Sequence, residues 1–206
     1  MSEETVYLID DDPDIRESLV WLLQSVGLKV TTFDSALAFL DAFETGAYGC
    51  IVMDVRMPGL SGINAQKKFI ENGIDLPVIL ISGHASIDMA VTAMNQGAVT
   101  FLEKPFDDQQ LIDHVQNAIG KDRIHRNQIK ALSGQRLKYD SLTKRERQVF
   151  ETIVQGLSNQ ESADKLGISR KTVEGHRANM LAKMNAGSLP ELVQVAINLG
   201  VISLKE

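Results

Sequence analysis

The sequence predicts two folds in one chain: an α/β domain built as a (βα)5 doubly wound parallel sheet, then a linker helix and an all-α domain of four helices. Three observations predict it. Short apolar runs alternate with helix-spaced segments in the first half of the 206 residues. The second half carries regularly placed caps and turns but no convincing strand. The charge is divided as well, with 18 acids and 6 bases in residues 1–120 against 9 acids and 15 bases in 121–206.

Taken in order, VYLI (6–9) is a strand-like run. Asp10, Asp11, Asp12 and Pro13 follow it, and because Asp favours N-caps and Pro the first turn, this run can simply open a helix. Ile15, Leu19, Leu22, Leu23 and Val26 then recur at helical spacing. KVTTF (29–33), CIVM (50–53), PVILI (77–81) and VTFLE (99–103) are the remaining strand-like runs, with a helix over 86–96 between the last two. Near-continuous apolar strands with intervening helices imply a parallel sheet covered on both faces. Leu111, Val115 and Ile119 mark a last helix, which runs into a polar, basic stretch where Ser133 and Gly134 are expected to end it. Helical patterns then occupy 143–155, 159–166, 170–184 and 188–199. Ser158 or Asn159 caps the second of these, Gly167 makes a turn, and Ser169 caps the third. The expected division is a domain over 5–120, a linker over 121–135 and a second domain over 136–201.

Composition excludes several classes. With 44% hydrophobic and 23% charged residues the chain reads as folded, not disordered. A single Cys50 allows no internal disulfide and points to a reducing cytoplasm. The N-terminus has acids where a secretory signal has bases, and no apolar window approaches the roughly 18 residues of a membrane span, so a cytoplasmic protein without membrane attachment is expected. The acidic half can host cations and the basic half could meet a polyanion. Residues 121–138 contribute +5 of the basic excess, however, leaving only +1 over 139–206. Placement, not bulk charge, must therefore argue for nucleic acid.

In an open parallel sheet, ligands bind at the carboxyl ends of the strands. The first strand ends in Asp10, Asp11 and Asp12, the third in Asp54, the fourth in Ser82 and the fifth in Lys104. Carboxylates brought together there repel one another and call for a cation, and hard oxygen donors suit Mg2+. A carboxylate beside such an ion can attack phosphorus while Lys104 neutralises charge on the transferring group, which makes Asp54 the natural nucleophile. Alone, Asp54 could be a turn residue and Lys104 a solvated surface lysine. His84 and Cys50 read as structural, and Met53, Met57, Met89 and Met94 as packing.

The motifs IDDD, MDVRMPGLSG, ISGHAS and FLEKPF, in this order over residues 5–120, resemble the receiver domain of two-component response regulators. The resemblance implies that Asp54 accepts a phosphoryl group from a histidine kinase. It also implies that Asp10, Asp11, Asp54 and the backbone carbonyl of Arg56 hold Mg2+. Ser82 and Lys104 would engage the phosphoryl oxygens, Phe101 would be the aromatic that changes rotamer, and a cis Lys104-Pro105 bond would orient the amine. The active receiver would dimerise through helix 86–96 and strand 99–103, with Val91 and Asn95 as contacts.

In the second half, the helix beginning RKTVEGHRANMLAKM can turn Val173, Met180, Leu181 and Met184 inward while Arg170, Lys171, Glu174, His176, Arg177 and Lys183 remain available. A helix with cationic N-terminal turns can enter a major groove and fix its register on phosphates. LTKRERQVF, GLSNQESADKLGIS and KTVEGHRANMLAKM resemble the LuxR-type helix-turn-helix, and the whole chain resembles response regulators of the FixJ type. That resemblance implies a transcriptional activator acting on promoter DNA and RNA polymerase, with Glu174, Gly175 and Ala178 facing bases and Lys171, Thr172, His176 and Arg177 at phosphates. Two positions depart from the pattern: Ser162 replaces an aliphatic in the scaffold helix, and Gly175 stands where a side chain commonly probes the groove.

Two other readings compete. A phosphorylation-gated adaptor would use the helical domain on a protein. An aspartyl-phosphate enzyme is opposed by Arg56, which stands where an acid two residues after Asp54 would be needed. The expected protein is therefore not an enzyme.

Overall fold

The computed structural model describes residues 4–202. Five strands, β1 (Thr5–Ile9), β2 (Lys29–Phe33), β3 (Gly49–Asp54), β4 (Val78–Ser82) and β5 (Thr100–Glu103), form one parallel sheet in the order β2-β1-β3-β4-β5. The order reverses between β1 and β3, so the carboxyl ends of these two strands flank a crevice. The predicted (βα)5 alternation is present, with each strand within a residue of its expected bounds.

Side chains alternate across a strand, and the sheet uses both faces. Ile9, Ile51, Met53 and Leu80 pack on one side with residues of α2 (Ala36–Ala42), α3 (Gly62–Glu71) and α4 (Ile87–Asn95), such as Phe39, Phe69 and Ala93. Val6, Leu8, Cys50, Val52, Ile79 and Ile81 pack on the other with α1 (Pro13–Ser25) and α5 (Asp108–Asp140) through Leu19, Leu23, Leu111 and Val115. On the first side Phe39 holds Tyr7, Phe33, Phe43 and Phe69 around it, with ring centroids 5.0 to 5.6 Å away. Burial pushes the Cys50 thiol well above its ordinary range, as expected of a structural cysteine.

One expectation is overturned. Ser133 and Gly134 do not end the helix: α5 continues through them to Asp140. Its first half is fastened to the sheet's amino edge. Asp122, 3% exposed, accepts the Gly49 backbone N–H (3.0 Å) and pairs with Arg126 Nε (2.9 Å). Arg126 also reaches Asp75 (2.8 Å) and lies over the Tyr48 ring, while Arg123 grips the Glu4 carboxylate with two bonds. A helix held by such tertiary contacts absorbs the roughly 1 kcal/mol that a mid-helix glycine costs. The chain divides into two compact units at 126/127, six residues beyond the boundary expected from the pattern.

The second unit contains the end of α5, then α6 (Lys144–Val154), α7 (Asn159–Leu166), α8 (Arg170–Met184) and α9 (Leu189–Asn198). Thr143 with Glu146 and Ser158 with Glu161 form reciprocal capping boxes, so Ser158 is the cap of α7. Gly167 makes the turn in the left-handed region at φ 66°, and Ser169 caps α8. Phe150, Val154, Met180, Met184 and Leu192 form the main core, with Tyr139 from α5 packed edge-on against Phe150. Val149, Ile153, Ala163 and Val173 form a second cluster between α6, α7 and α8.

Candidate phosphoacceptor site and nucleic-acid interface

The three consecutive acids after β1 have separate positions. Asp10 is 1% exposed and accepts the Asp12 N–H on Oδ1 (2.9 Å). Asp11 is exposed. Asp12 caps α1, accepting from Asp14 and Ile15, with Pro13 in the first turn, so the bland reading of this run holds for Asp12 alone.

Asp54 ends β3 and is buried, with Oδ2 accepting the Arg56 N–H at 2.6 Å. Lys104 comes from the loop after β5 and bridges the two carboxylates, its Nζ standing 2.8 Å from Asp54 Oδ1 and 3.0 Å from Asp10 Oδ2. Burial pulls the Lys104 ammonium down, but the bonds to Asp54 and Asp10 outweigh this and leave its pKa above the ordinary lysine value. Asp10 is pushed up, chiefly by burial, against the opposing pull of the Asp12 N–H and Lys104. The Lys104-Pro105 bond is cis.

Ser82 ends β4, fully buried, and its hydroxyl is occupied locally: it donates to the His84 backbone oxygen (3.1 Å) and accepts the His84 N–H (3.3 Å). His84 itself is exposed. Phe101 lies on β5, half-buried against the cluster that contains Met53 and Leu80. On α4, Val91 and Asn95 are exposed, alongside Ile87 and Met94.

Asp10, Asp54 and the exposed Asp11 outnumber the two cations at this edge, Lys104 and Arg16, whose guanidinium donates to the Asp10 backbone oxygen. Among the described residues no three His, Cys, Asp or Glu side chains close on a common point as a ligand set. The donors themselves are hard carboxylate oxygens with an exposed third acid beside them, a set that fits a magnesium ion in chemistry and in charge.

Along α8, Val173, Met180 and Met184 are buried and Leu181 half-buried, as the spacing predicted. Lys171, Thr172, Glu174, Gly175 and Ala178 are exposed, while His176 and Arg177 are half-buried. Several polar groups read as available have partners within the unit. Lys183 is taken by Glu146 (2.7 Å), Arg170 pairs with Glu174 (2.9 Å), and an Arg177 N–H donates to Asn159 Oδ1 (2.8 Å). The Lys183 bond, helped by the Thr143 backbone N–H, holds the Glu146 carboxyl down at about 2. The Lys183–Glu146 and Arg177–Asn159 pairings join different helices, which the spacing within one helix does not reveal, whereas Arg170–Glu174 is an i,i+4 pair on α8 itself. Among the described residues no helix is long and apolar enough to cross a membrane.

Comparison with known proteins agrees with this geometry. Residues 6–116 match the response regulator receiver domain, and residues 140–196 match the bacterial regulatory proteins of the luxR family. The chain is 48% identical over 196 residues to the transcriptional regulatory protein FixJ of Azorhizobium caulinodans, covering 95% of this chain and 93% of that one. It is 40% identical to the response regulator protein TmoT of Ectopseudomonas mendocina, covering 94% and 88%. Among solved structures, response regulator StyR superposes with a TM-score of 0.88 at 38% identity, covering 95% of this chain and 98% of that one. Full-length FixJ from B. japonicum gives 0.60 at 42% identity, covering 98% and 100%. With both domains matched in order along its length, the chain belongs to the FixJ-type response regulators, DNA-binding transcription regulators of two-component systems.

Proposed function

We propose that phosphorylation of Asp54 controls a monomer–dimer switch that brings two DNA-binding domains to promoter DNA. The observation that carries this reading is the meeting of Asp54, Lys104 and Asp10 at the carboxyl edge of the sheet. Asp54 Oδ attacks the phosphorus of a phosphohistidine on a cognate histidine kinase; the O–P bond forms as the P–N bond breaks, and the imidazole keeps the bonding pair. Lys104 donates to a phosphoryl oxygen, and Ser82 turns from His84 to do the same. Asp10, Asp11, Asp54 and the Arg56 carbonyl would hold Mg2+, which when bound would supply charge neutralisation on the transferring group. Phe101 follows the Ser82 loop inward, and α4 with β5 then meets a second copy through Val91 and Asn95.

In the same reading residues 5–120 are the receiver, 121–135 the linker and 136–201 the DNA-binding domain. Glu174, Gly175 and Ala178 face bases; Lys171, Thr172, His176 and Arg177 lie at phosphates. The bound dimer engages RNA polymerase as an activator in the cytoplasm, and the protein turns over no external substrate.

The test is apparent mass by light scattering, with and without Mg2+ and acetyl phosphate, on wild type and Asp54→Asn in parallel. A monomer-to-dimer shift in the wild type alone is expected. No shift in a wild type whose intact mass shows the added phosphoryl group would overturn the dimer switch, and selection of bound DNA would then decide between relief of a domain contact and an adaptor role.

A further inference from the structure

Helix α3 starts on the phosphoacceptor and touches α4 one turn later. Its first residue, Gly62, donates its N–H to Val55 O (2.9 Å), and a Cβ built there would fall 2.5 Å from the Asp54 backbone oxygen. Only glycine lets the helix begin this close to Asp54. Gln66 lies four residues further and so on the same face of α3. It is 2% exposed, and its Nε2 donates to the carbonyls of Gln96 (3.1 Å) and Ala93 (3.4 Å). The Gln96 oxygen lies at the C-terminal cap of α4, where a helix leaves carbonyls without intrahelical donors, while the Ala93 oxygen also accepts the Ala98 N–H (3.0 Å). The other end of the amide is not matched: Gln66 Oε1 and Gln96 Oε1 are both buried and accept no bond from the described residues. A methionine fills nearly the same volume without an unpaired buried acceptor, so packing alone does not account for the glutamine.

We infer that Gln66 is a positioning residue that holds α4 in its unphosphorylated place, coupling Asp54 to α4 through α3 as well as through Ser82 and Phe101. The inference rests on the reading of α4 as the dimerisation face. Ala93 is the one fully buried side chain of α4, while Ile87 (83% exposed), Val91 and Met94 point outward. A helix with so little buried surface is easily displaced, which gives one polar contact at its end real leverage. The two ends of the Gln66 amide also oppose each other, the donated bonds holding α4 and the unmatched Oε1 weakening the contact. A small gap between two arrangements is what a switch of this size requires. Movement of the Asp54 backbone is passed to α3 directly, because no side chain at Gly62 cushions it.

The test compares full-length wild type, Gln66→Met and Gln66→Leu, the second substitution serving if the first does not fold. Dimerisation constants are measured by light scattering with and without acetyl phosphate and Mg2+, alongside phosphoryl uptake by intact mass and amide exchange of peptides spanning 87–98. Phosphoryl uptake should be unchanged and exchange at the end of α4 faster. The unphosphorylated dimer should strengthen on the order of fivefold, the equivalent of one ordinary hydrogen bond. The ratio of phosphorylated to unphosphorylated constants should fall by the same factor. A merely structural role would weaken both forms alike and leave the ratio within twofold of wild type, which overturns the inference. If the wild type shows equal constants, the dimer reading fails by itself. The exchange comparison then decides the Gln66 contact, with unchanged rates in 87–98 refuting it.

Discussion

Lys104 Nζ and Asp54 Oδ1 stand 2.8 Å apart although fifty positions separate them, and the same ammonium reaches Asp10 at 3.0 Å. The Lys104 side chain is 20% exposed, against 2% for Asp10 and 9% for Asp54. Among the described residues Lys104 is therefore the cation bonded to two carboxylates that have been taken almost wholly out of water. Lys104→Met should cost on the order of 3 kcal/mol at neutral pH, the penalty for stranding a buried charge. Most of that loss should return when Asp54→Asn is added, because one of the stranded charges is then gone. Urea denaturation of the single and double variants measures this, and simple additivity of the two substitutions would show that Lys104 and Asp54 are not coupled.

Glu146 gives the second unit a pH dependence of definite sign. Its carboxyl is held at about 2, below the ordinary value of 4.5, first by the Lys183 hydrogen bond and then by the Thr143 backbone. A depressed acid contributes its full stability above the unfolded value and loses it as pH falls through the folded one. Between about pH 4.5 and 2 the wild-type second unit should lose stability faster than Glu146→Gln. Amide exchange across α6 and α8 is the measurement, and parallel pH profiles for the two proteins would refute the role.

Ser162 is fully buried on α7 and its hydroxyl has no partner among the described residues. Ser162→Ala removes an unpaired polar atom and adds helix propensity, so stability should rise by about 1 kcal/mol. Thermal unfolding reads this directly. A lower midpoint would mean that the hydroxyl is satisfied in solution.

Arg177 has two possible duties, tethering α7 through Asn159 and contacting phosphate. Arg177→Ala should weaken binding about equally on all DNA sequences and reduce the salt slope of log K by about 1. A tether alone would lower the melting point and leave the slope unchanged, so titrations at several salt concentrations separate the two.

The strands were legible because a sheet buried on both faces demands unbroken apolar runs, which VYLI, CIVM and PVILI supply. Convergence of Asp10, Asp54 and Lys104 was legible for a related reason: parallel strands send their carboxyl ends to one edge, however far apart they lie in sequence. What sequence could not show was set by tertiary contacts. Gly134 looks like a stop, yet α5 is anchored on one side of it by Asp122 and Arg126 and on the other by Tyr139. Gln66 looks like a surface residue of an amphipathic helix until α4 is seen lying over it. Lys183 carries no mark of its pairing, since Glu146 is 37 positions away.

The sheet stops at β2 on one side and β5 on the other, and neither rim is a good template for another strand. β2 is five residues long with Lys29, Thr31 and Thr32 exposed, and β5 is only four residues long. Short or charged rims resist recruitment of foreign backbone, which is how soluble sheets avoid sticking to one another. If two copies meet beside β5, as proposed, they must therefore recognise each other by the shapes and polarity of side chains. In the proposed dimer, fidelity toward the correct partner would then reside in a few replaceable exposed residues such as Val91 and Asn95, which can diverge without disturbing the fold beneath them.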